Sequence, residues 1–440
     1  MVSKWMLCAQ IAICVFLALA GLELQSGTPA MFRGDASHSG VYGSVPPTLS
    51  AVAWRFRMGG KVLSSPVVSE GVVYVGGSDH TMIALDARTG VERWRYKAGG
   101  AIASSPAVVE GRIIFSSLDG SIRALEAATG KPLWTFRTAG ERRFTAPGIH
   151  GAQPSTELMA DPFDVFLSSP VVAGDRVFVG SGDQHVYALD AATGALRWKV
   201  KTGDVVHASP AVAGGKVFIG SFDRTFYALD VDKGTILWTF QTGNDPETHN
   251  QMGIASSAAV ADGRVFFGCR DGHFYALDAN TGALLWKHDN HMGWVIASPA
   301  VTEGRVYFPT SDGRRFKALE AATGKVIFDQ PMKAISFSSP AIAGSRAIFG
   351  TSDGWLHLVD RNTGAVVADF QTEGSREMSS KYVDAKGKLN NAALYPDNTL
   401  DGMVIGMDRL FSLGAIMSSP TVADGMVFVG SGDGFVYALR

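Results

Sequence analysis

Residues 168–198 run Ser168-Ser169-Pro170-Val171-Val172-Ala173-Gly174-Asp175-Arg176-Val177-Phe178-Val179-Gly180-Ser181-Gly182-Asp183-Gln184-His185-Val186-Tyr187-Ala188-Leu189-Asp190-Ala191-Ala192-Thr193-Gly194-Ala195-Leu196-Arg197-Trp198. The order is Ser-Ser-Pro, a Gly turn, a short β-rich run, an Asp turn, Tyr-Ala-Leu-Asp, Thr-Gly, then Trp. It recurs along the chain. The Pro position falls at Pro66, Pro106, Pro170, Pro210, Ala258, Pro299, Pro340 and Pro420, and the aromatic position at Trp54, Trp94, Trp134, Trp198, Trp238, Trp286, Phe328 and Phe370. Each copy carries four β runs separated by Gly- or Asp-bearing turns, as in Val67-Val68, Val72 to Gly76, Thr81 to Leu85 and Glu92 to Tyr96. Four-stranded units of this length predict an all-β, eight-bladed β-propeller.

The ends support closure of that ring. The eighth copy reaches Arg440 without its outermost strand, while a strand around Ala53-Trp54-Arg55 precedes the first copy. Pairing the two would close the ring with the N-terminal strand and remove an open edge. The expected organisation is a signal peptide over 1–20, or to 30, a lead-in over 31–50, and a propeller over 51–440.

Composition agrees with a folded, turn-rich chain. There are 51 glycines in 440 residues, well above a usual share of roughly 7%, and 39 basic against 41 acidic side chains give a net charge of -2. No basic tract is present, so nucleic-acid binding by bulk charge is excluded. Lys4 precedes an apolar stretch from Ile11 to Ala20, which reads as a secretory signal, with an uncleaved anchor from Trp5 to Leu22 as the alternative. The protein is therefore expected to be periplasmic or secreted, with no transmembrane segment after cleavage. Cys8 and Cys14 fall in this segment, leaving Cys269 alone and no internal disulfide.

The recurring residues have scaffold explanations. Small residues suit strands crowded at the axis. The Asp of each Asp turn (Asp79, Asp119, Asp183, Asp223, Asp271, Asp312, Asp353 and Asp433) is expected to cap its own turn. The large aromatics are expected to pack between neighbouring blades.

Ala188 to Trp198 and Ala276 to Trp286, with Phe32-Arg33-Gly34-Asp35 ahead of them, resemble the tryptophan-docking repeat of quinoprotein (PQQ-dependent) dehydrogenases and their non-catalytic, PQQ-like relatives, outer-membrane assembly factors among them. The resemblance covers 31–440 and implies the propeller. For activity it implies two alternatives, a binding scaffold or a dehydrogenase using PQQ with calcium. The single Cys269 departs from the adjacent cysteine pair common in the alcohol dehydrogenases, and no acylation cysteine of a lipoprotein is visible.

Extra chain length marks where a site belongs. Trp and Pro of successive copies stand twelve residues apart, as Trp94 and Pro106 do, except for 24 extra residues after Trp134, eight after Trp238, one after Trp286 and 38 after Phe370. These insertions, near 141–165, 244–252 and 374–414, all emerge on the face of the Asp turns, and variable loops on a rigid scaffold are where binding resides. Candidate ligand-binding residues there are Arg142, Arg143, His150, Asp161, Asp164, His249, Asn250, Gln251, His291 and Trp294. Comparison among copies adds two. Three residues before each Pro position the copies read Leu63, Ala103, Leu167, His207, Ala255, Ile296, Phe337 and Met417, so His207 is the one polar member. Arg270, next to Cys269, stands where other copies carry Ser, Gly, Leu or Phe. Either a site or a channel-facing structural role accounts for both. No local spacing joins His150, His207, His249 and His291 into a metal site, and no nucleophilic triad is signalled.

The leading expectation is an exported scaffold that binds a protein or cell-envelope partner on the inserted face, with a small-molecule ligand also compatible. The alternative is a PQQ- and calcium-dependent alcohol or sugar dehydrogenase using the same face.

Overall fold

The turn Asp190-Ala191-Ala192-Thr193-Gly194 shows how the repeat builds itself. Asp190 Oδ1 accepts hydrogen bonds from the backbone N–H of Ala192 and Thr193 and from the Thr193 hydroxyl. Gly194 supplies the positive φ, 73°, that reverses the chain. In the computed structural model, which describes residues 30–43, 48–243, 252–291 and 293–440, this turn joins the third and fourth strands of a blade. Blade 3 consists of Val171–Ala173, Arg176–Ser181, His185–Asp190 and Leu196–Lys201 in antiparallel order, and eight such sheets form the propeller. In blade 8 the fourth strand is Val52–Arg57, paired with Phe435–Leu439, so the ring closes through the N-terminal strand as expected.

Tryptophan couples one blade to the next. The indole N–H of Trp54, Trp94, Trp198 and Trp286 donates to the carbonyl of Ala87, Ala127, Val231 and Ala321, each in the turn of the following blade. The ring lies flat on that turn's glycine. A Cβ on Gly234 would stand 2.6 Å from the Trp198 ring. Where Phe328 replaces Trp, Gln330 supplies the missing donor, its side-chain amide bonding the Thr363 carbonyl at 3.0 Å.

One sequence assignment is corrected. The residue opposite Leu358, at the register Trp198 holds opposite Ala188, is Ala368, whereas Phe370 lies two residues on, opposite Leu356. The third insertion is accordingly two residues longer than read. The reason is physical: blade 8 takes its fourth strand from Val52–Arg57 and has no Thr-Gly turn for an indole at 368 to dock on.

Around the axis the serines form a belt. The N–H of Ser65, Ser105, Ser169 and Ser209 donates to the hydroxyl of Ser105, Ser169, Ser209 and Ser257, and Ser298, Ser339 and Ser419 continue to Ser339, Ser419 and Ser65. The lead-in crosses the axis at the end opposite the insertions. Backbone bonds tie Ala30 to Val108, Ala36 to Val212, Ser37 to Val260, Ser39 to Val301 and Gly40 to Ile342. Buried Arg33 donates to the carbonyls of Pro299 and Pro340.

The other end carries the insertions. The first forms a hairpin, Thr145–Pro147 with Leu158–Ala160, around a tight turn at Ile149–Gly151. The third folds into α1 (Glu373–Tyr382), α2 (Asn391–Leu394) and α3 (Leu400–Ser412). Thr372, Asn390 and Thr399 cap their N-termini, which is why three helices start in an otherwise β chain. Leu394, Met407, Leu410 and Phe411 are buried against Trp294, Phe337 and Met417, so the insertion packs onto the propeller. Among the described residues no helix is long and apolar enough to cross a membrane. The expected signal segment lies outside the described residues.

Candidate functional site

Two buried polar clusters stand beneath the inserted face. In the first, Asp161 accepts from His150 Nε2 at 2.8 Å, from Arg270 Nη1 at 2.6 Å and from the Phe163 backbone at 2.8 Å. The Arg270 guanidinium is also enclosed by the rings of Phe222 and Trp294, 5.0 and 4.8 Å from their centroids. Burial alone would raise the Asp161 carboxyl, but Arg270 and His150 outweigh it and hold the carboxyl well below the usual range.

In the second cluster, Asp164 bonds His207 Nδ1 at 2.7 Å and accepts from the Phe144 backbone. Glu141 lies 3.5 Å from His207 Nε2. Burial would lower the His207 pKa, yet Asp164 and Glu141 carry it up to about 10, so the ring is charged at neutral pH. Phe222 packs beside both His207 and Arg270 and joins the clusters.

The eight positions preceding the Pro residues do surround the axis, as their repeat phase implied. The void they enclose, with Phe32 of the lead-in and Phe166 of the first insertion, is only about 50 Å³. That is room for one or two waters.

The larger space is off the axis. A recess of about 710 Å³ opens between blades 6 and 7, the first insertion and the helical cap. Trp294, Phe163, Phe337 and Tyr395 give it aromatic walls, and Asp312, Arg314, Lys333, Lys388 and Asn391 give it polar ones.

Asp312 reaches this recess because its turn is built differently. Six of the eight Asp-turn carboxylates accept the N–H two residues on, and those of Asp183, Asp223, Asp271 and Asp433 are also clamped by the hydroxyls of Tyr187, Tyr227, Tyr275 and Tyr437. Asp312 and Asp353 do not cap in this way, contrary to the expectation for all eight. In blade 6 the extra residue Gly313 lengthens the turn, and the Thr310 hydroxyl accepts the Arg315 N–H instead. Lys317, in the tyrosine's place, turns to His288 and Asp329. Asp312 keeps only the Ser311 hydroxyl, at 3.3 Å. The side chain is exposed to the recess, and desolvation by the protein packed around its carboxyl raises its pKa above the usual carboxylate value.

The structure thus gathers His150, Asp161, Arg270 and Trp294 into one cluster, with Asp164 and His207 adjoining. It leaves the others apart. Arg142 pairs with Asp204, Arg143 is exposed, and His291 is exposed beside Asp289. His249, Asn250 and Gln251 lie outside the described residues. Sequence reading passed over Arg314, Lys333 and Lys388. One signal was available: Lys333 stands where other junctions carry Gly59, Gly99, Gly203 and Gly243.

A calcium-bound PQQ would need free oxygen ligands and cations converging on three carboxylates. Among the described residues no three His, Cys, Asp or Glu side chains are placed to hold a metal ion. Asp161 and Asp164 are already neutralised by Arg270 and His207, and Arg270 and Trp294 are stacked on each other. The two buried clusters do not fit that cofactor.

The comparisons follow the fold. The family model for outer membrane protein assembly factor BamB matches residues 43–160, 150–260 and 247–390. No curated protein sequence matches the chain. BamB from Moraxella catarrhalis superposes with a TM-score of 0.62 at 17% identity, covering 89% of this chain and 97% of that one. A europium-containing methanol dehydrogenase gives 0.66 at 16% identity, covering 95% and 92%. The quinohemoprotein alcohol dehydrogenase from Comamonas testosteroni gives 0.66 at 15%, covering 96% and 82%. Likeness at these identities is one of fold. With the family model matched over most of its length, a chain of eight blades, six of their joints made by tryptophan and the ring closed by its N-terminal strand, belongs to the outer membrane protein assembly factor BamB family.

Proposed function

We propose that the protein is an exported binding scaffold of the cell envelope, which recognises a protein or envelope component through its inserted face. The observation that carries this reading is the recess of about 710 Å³, walled by two insertions and two blades on a rigid ring. The buried carboxylates beneath it are occupied by protein cations, which favours recognition over cofactor chemistry. The name of the family, an outer-membrane assembly factor, and the apolar segment from Ile11 to Ala20 support an envelope location.

The test is calorimetric titration of the full-length mature protein with PQQ, with and without calcium, beside a dye-linked oxidation assay on simple alcohols and sugars. Absence of binding and of turnover is the expected result. Calcium-dependent binding with turnover would replace the scaffold by the dehydrogenase alternative. A photo-crosslinking side chain introduced at exposed Asn391 is expected to give adducts in cells that the same group at exposed Leu196, on an outer strand, does not.

A further inference from the structure

We propose that the recess between blades 6 and 7 and the helical cap binds an acidic saccharide, a sugar bearing a carboxylate or phosphate group. The proposal rests on the scaffold reading and names the class of envelope component it would take.

The recess has a size suited to one or two sugar rings, within the roughly 300–1,000 Å³ of small-molecule sites. Its apolar wall is preformed. Trp294 is held by the stacked Arg270, and Phe163 by the edge of His150, 4.8 Å between centroids. Phe163 and Tyr395 are the partly exposed members of this wall and can meet the C–H face of a sugar with little cost in side-chain ordering, with buried Trp294 and Phe337 behind them.

The polar wall selects the ligand. Arg314, Lys333 and Lys388 border the recess. Each acts electrostatically on one nearby carboxylate, Asp312, Asp353 and Asp384 in turn, but among the described residues none of the three is locked in a direct ion pair. Asp384 on the cap accepts the N–H of Lys386 and Lys388 in its own turn, and its charge is partly balanced by those lysines. Three cations against two acids in the lining, Asp312 and Asp384, leave the polar wall with a positive excess that an anionic group can meet. Asp312, released from its turn, and the Asn391 amide offer hydrogen bonds to hydroxyl groups. An aromatic acid would leave Asp312 without a partner, and a neutral sugar would leave the cations idle. An acidic sugar uses both sets.

The experiment is titration of the full-length mature protein, followed by calorimetry and tryptophan emission, with digalacturonate, glucose 6-phosphate, cellobiose and 4-hydroxybenzoate. Binding of one or both acidic sugars at least about tenfold tighter than cellobiose or 4-hydroxybenzoate is expected, and whichever acid binds tighter identifies the source of the charge. Lys333→Ala and Arg314→Ala, both exposed side chains, are each expected to weaken the acidic sugar about tenfold with thermal unfolding unchanged. Failure of both acidic sugars to bind, equal affinity for cellobiose, preference for 4-hydroxybenzoate, or affinity indifferent to both substitutions overturns the proposal. Failure here without PQQ turnover sinks only the saccharide. PQQ turnover sinks the scaffold itself.

Discussion

His207 stands in a ring of otherwise apolar positions and earns its place by pairing with Asp164, 2.7 Å away, and Glu141. Its pKa in the fold is about 10, against 6.5 unperturbed. The stability this adds is complete below pH 6.5 and is lost as pH rises through about 10. His207→Gln leaves Asp164 buried without its cation, a change worth about 3–5 kcal/mol at neutral pH. The gap between the native protein and this variant in denaturant unfolding is expected to narrow steadily from pH 7 to 10. A gap that stays constant across that range would show that the charge on His207 contributes nothing. At this scale the sequence marked His207 and Arg270 as exceptions to the repeat, but which carboxylates answer them depends on the first insertion folding back, Asp164 standing 43 residues from His207 and Asp161 109 from Arg270.

The element that sets the architecture is the joint between one blade's outer strand and the next blade's Thr-Gly turn. Trp198→Phe keeps most of the buried area and loses the indole bond to Val231, so a cost of about 1 kcal/mol is expected. Trp198→Ala removes the ring from the glycine it covers and is expected to cost about 3–5 kcal/mol. Urea unfolding of both variants checks the order; equal losses would mean that the hydrogen bond, not the ring, couples the blades. The same joint explains Gln330 beside Phe328, and the Ala at 368, where no turn awaits it. Counting from the Asp of the turn, eight residues to the aromatic, would have placed Ala368 correctly from sequence; choosing the nearest aromatic did not.

For the whole molecule, closure is the decisive contact. Val52–Arg57 covers the free edge of Phe435–Leu439, with Trp54 opposite Ala438 and reciprocal backbone bonds between Ala51 and Arg440. Deleting residues 52–57 exposes that edge to pairing with other copies. Size-exclusion chromatography with light scattering is expected to show dimers and larger species, and a peptide of residues 50–58 added in trans is expected to restore the monomer. A deletion variant that stays monomeric would show that closure is not needed to protect the edge. The lead-in and the helical cap seal opposite ends of the axis, and the cap is tied to the closure, Glu373 pairing with Arg55 of the closing strand.

What the sequence by itself determined is the periodic part: eight copies, four strands in each, the Asp-Thr-Gly turns, the closing strand and the face that carries the insertions. Those features rest on contacts within a repeat or between adjacent repeats, so spacing and residue type suffice to read them. Only the tertiary structure decided that the lead-in plugs one end, that the third insertion is helical, and that a recess of about 710 Å³ lies off the axis between blades 6 and 7. Lys333, Arg314 and Asn391 meet there from segments up to 77 residues apart. Convergence of that kind follows from how insertions pack on a ring, and no local pattern encodes it. Asp312 shows the boundary between the two. Its turn is read from sequence, but its release follows from one added glycine and from Lys317 turning to His288 and Asp329, which only the folded arrangement reveals.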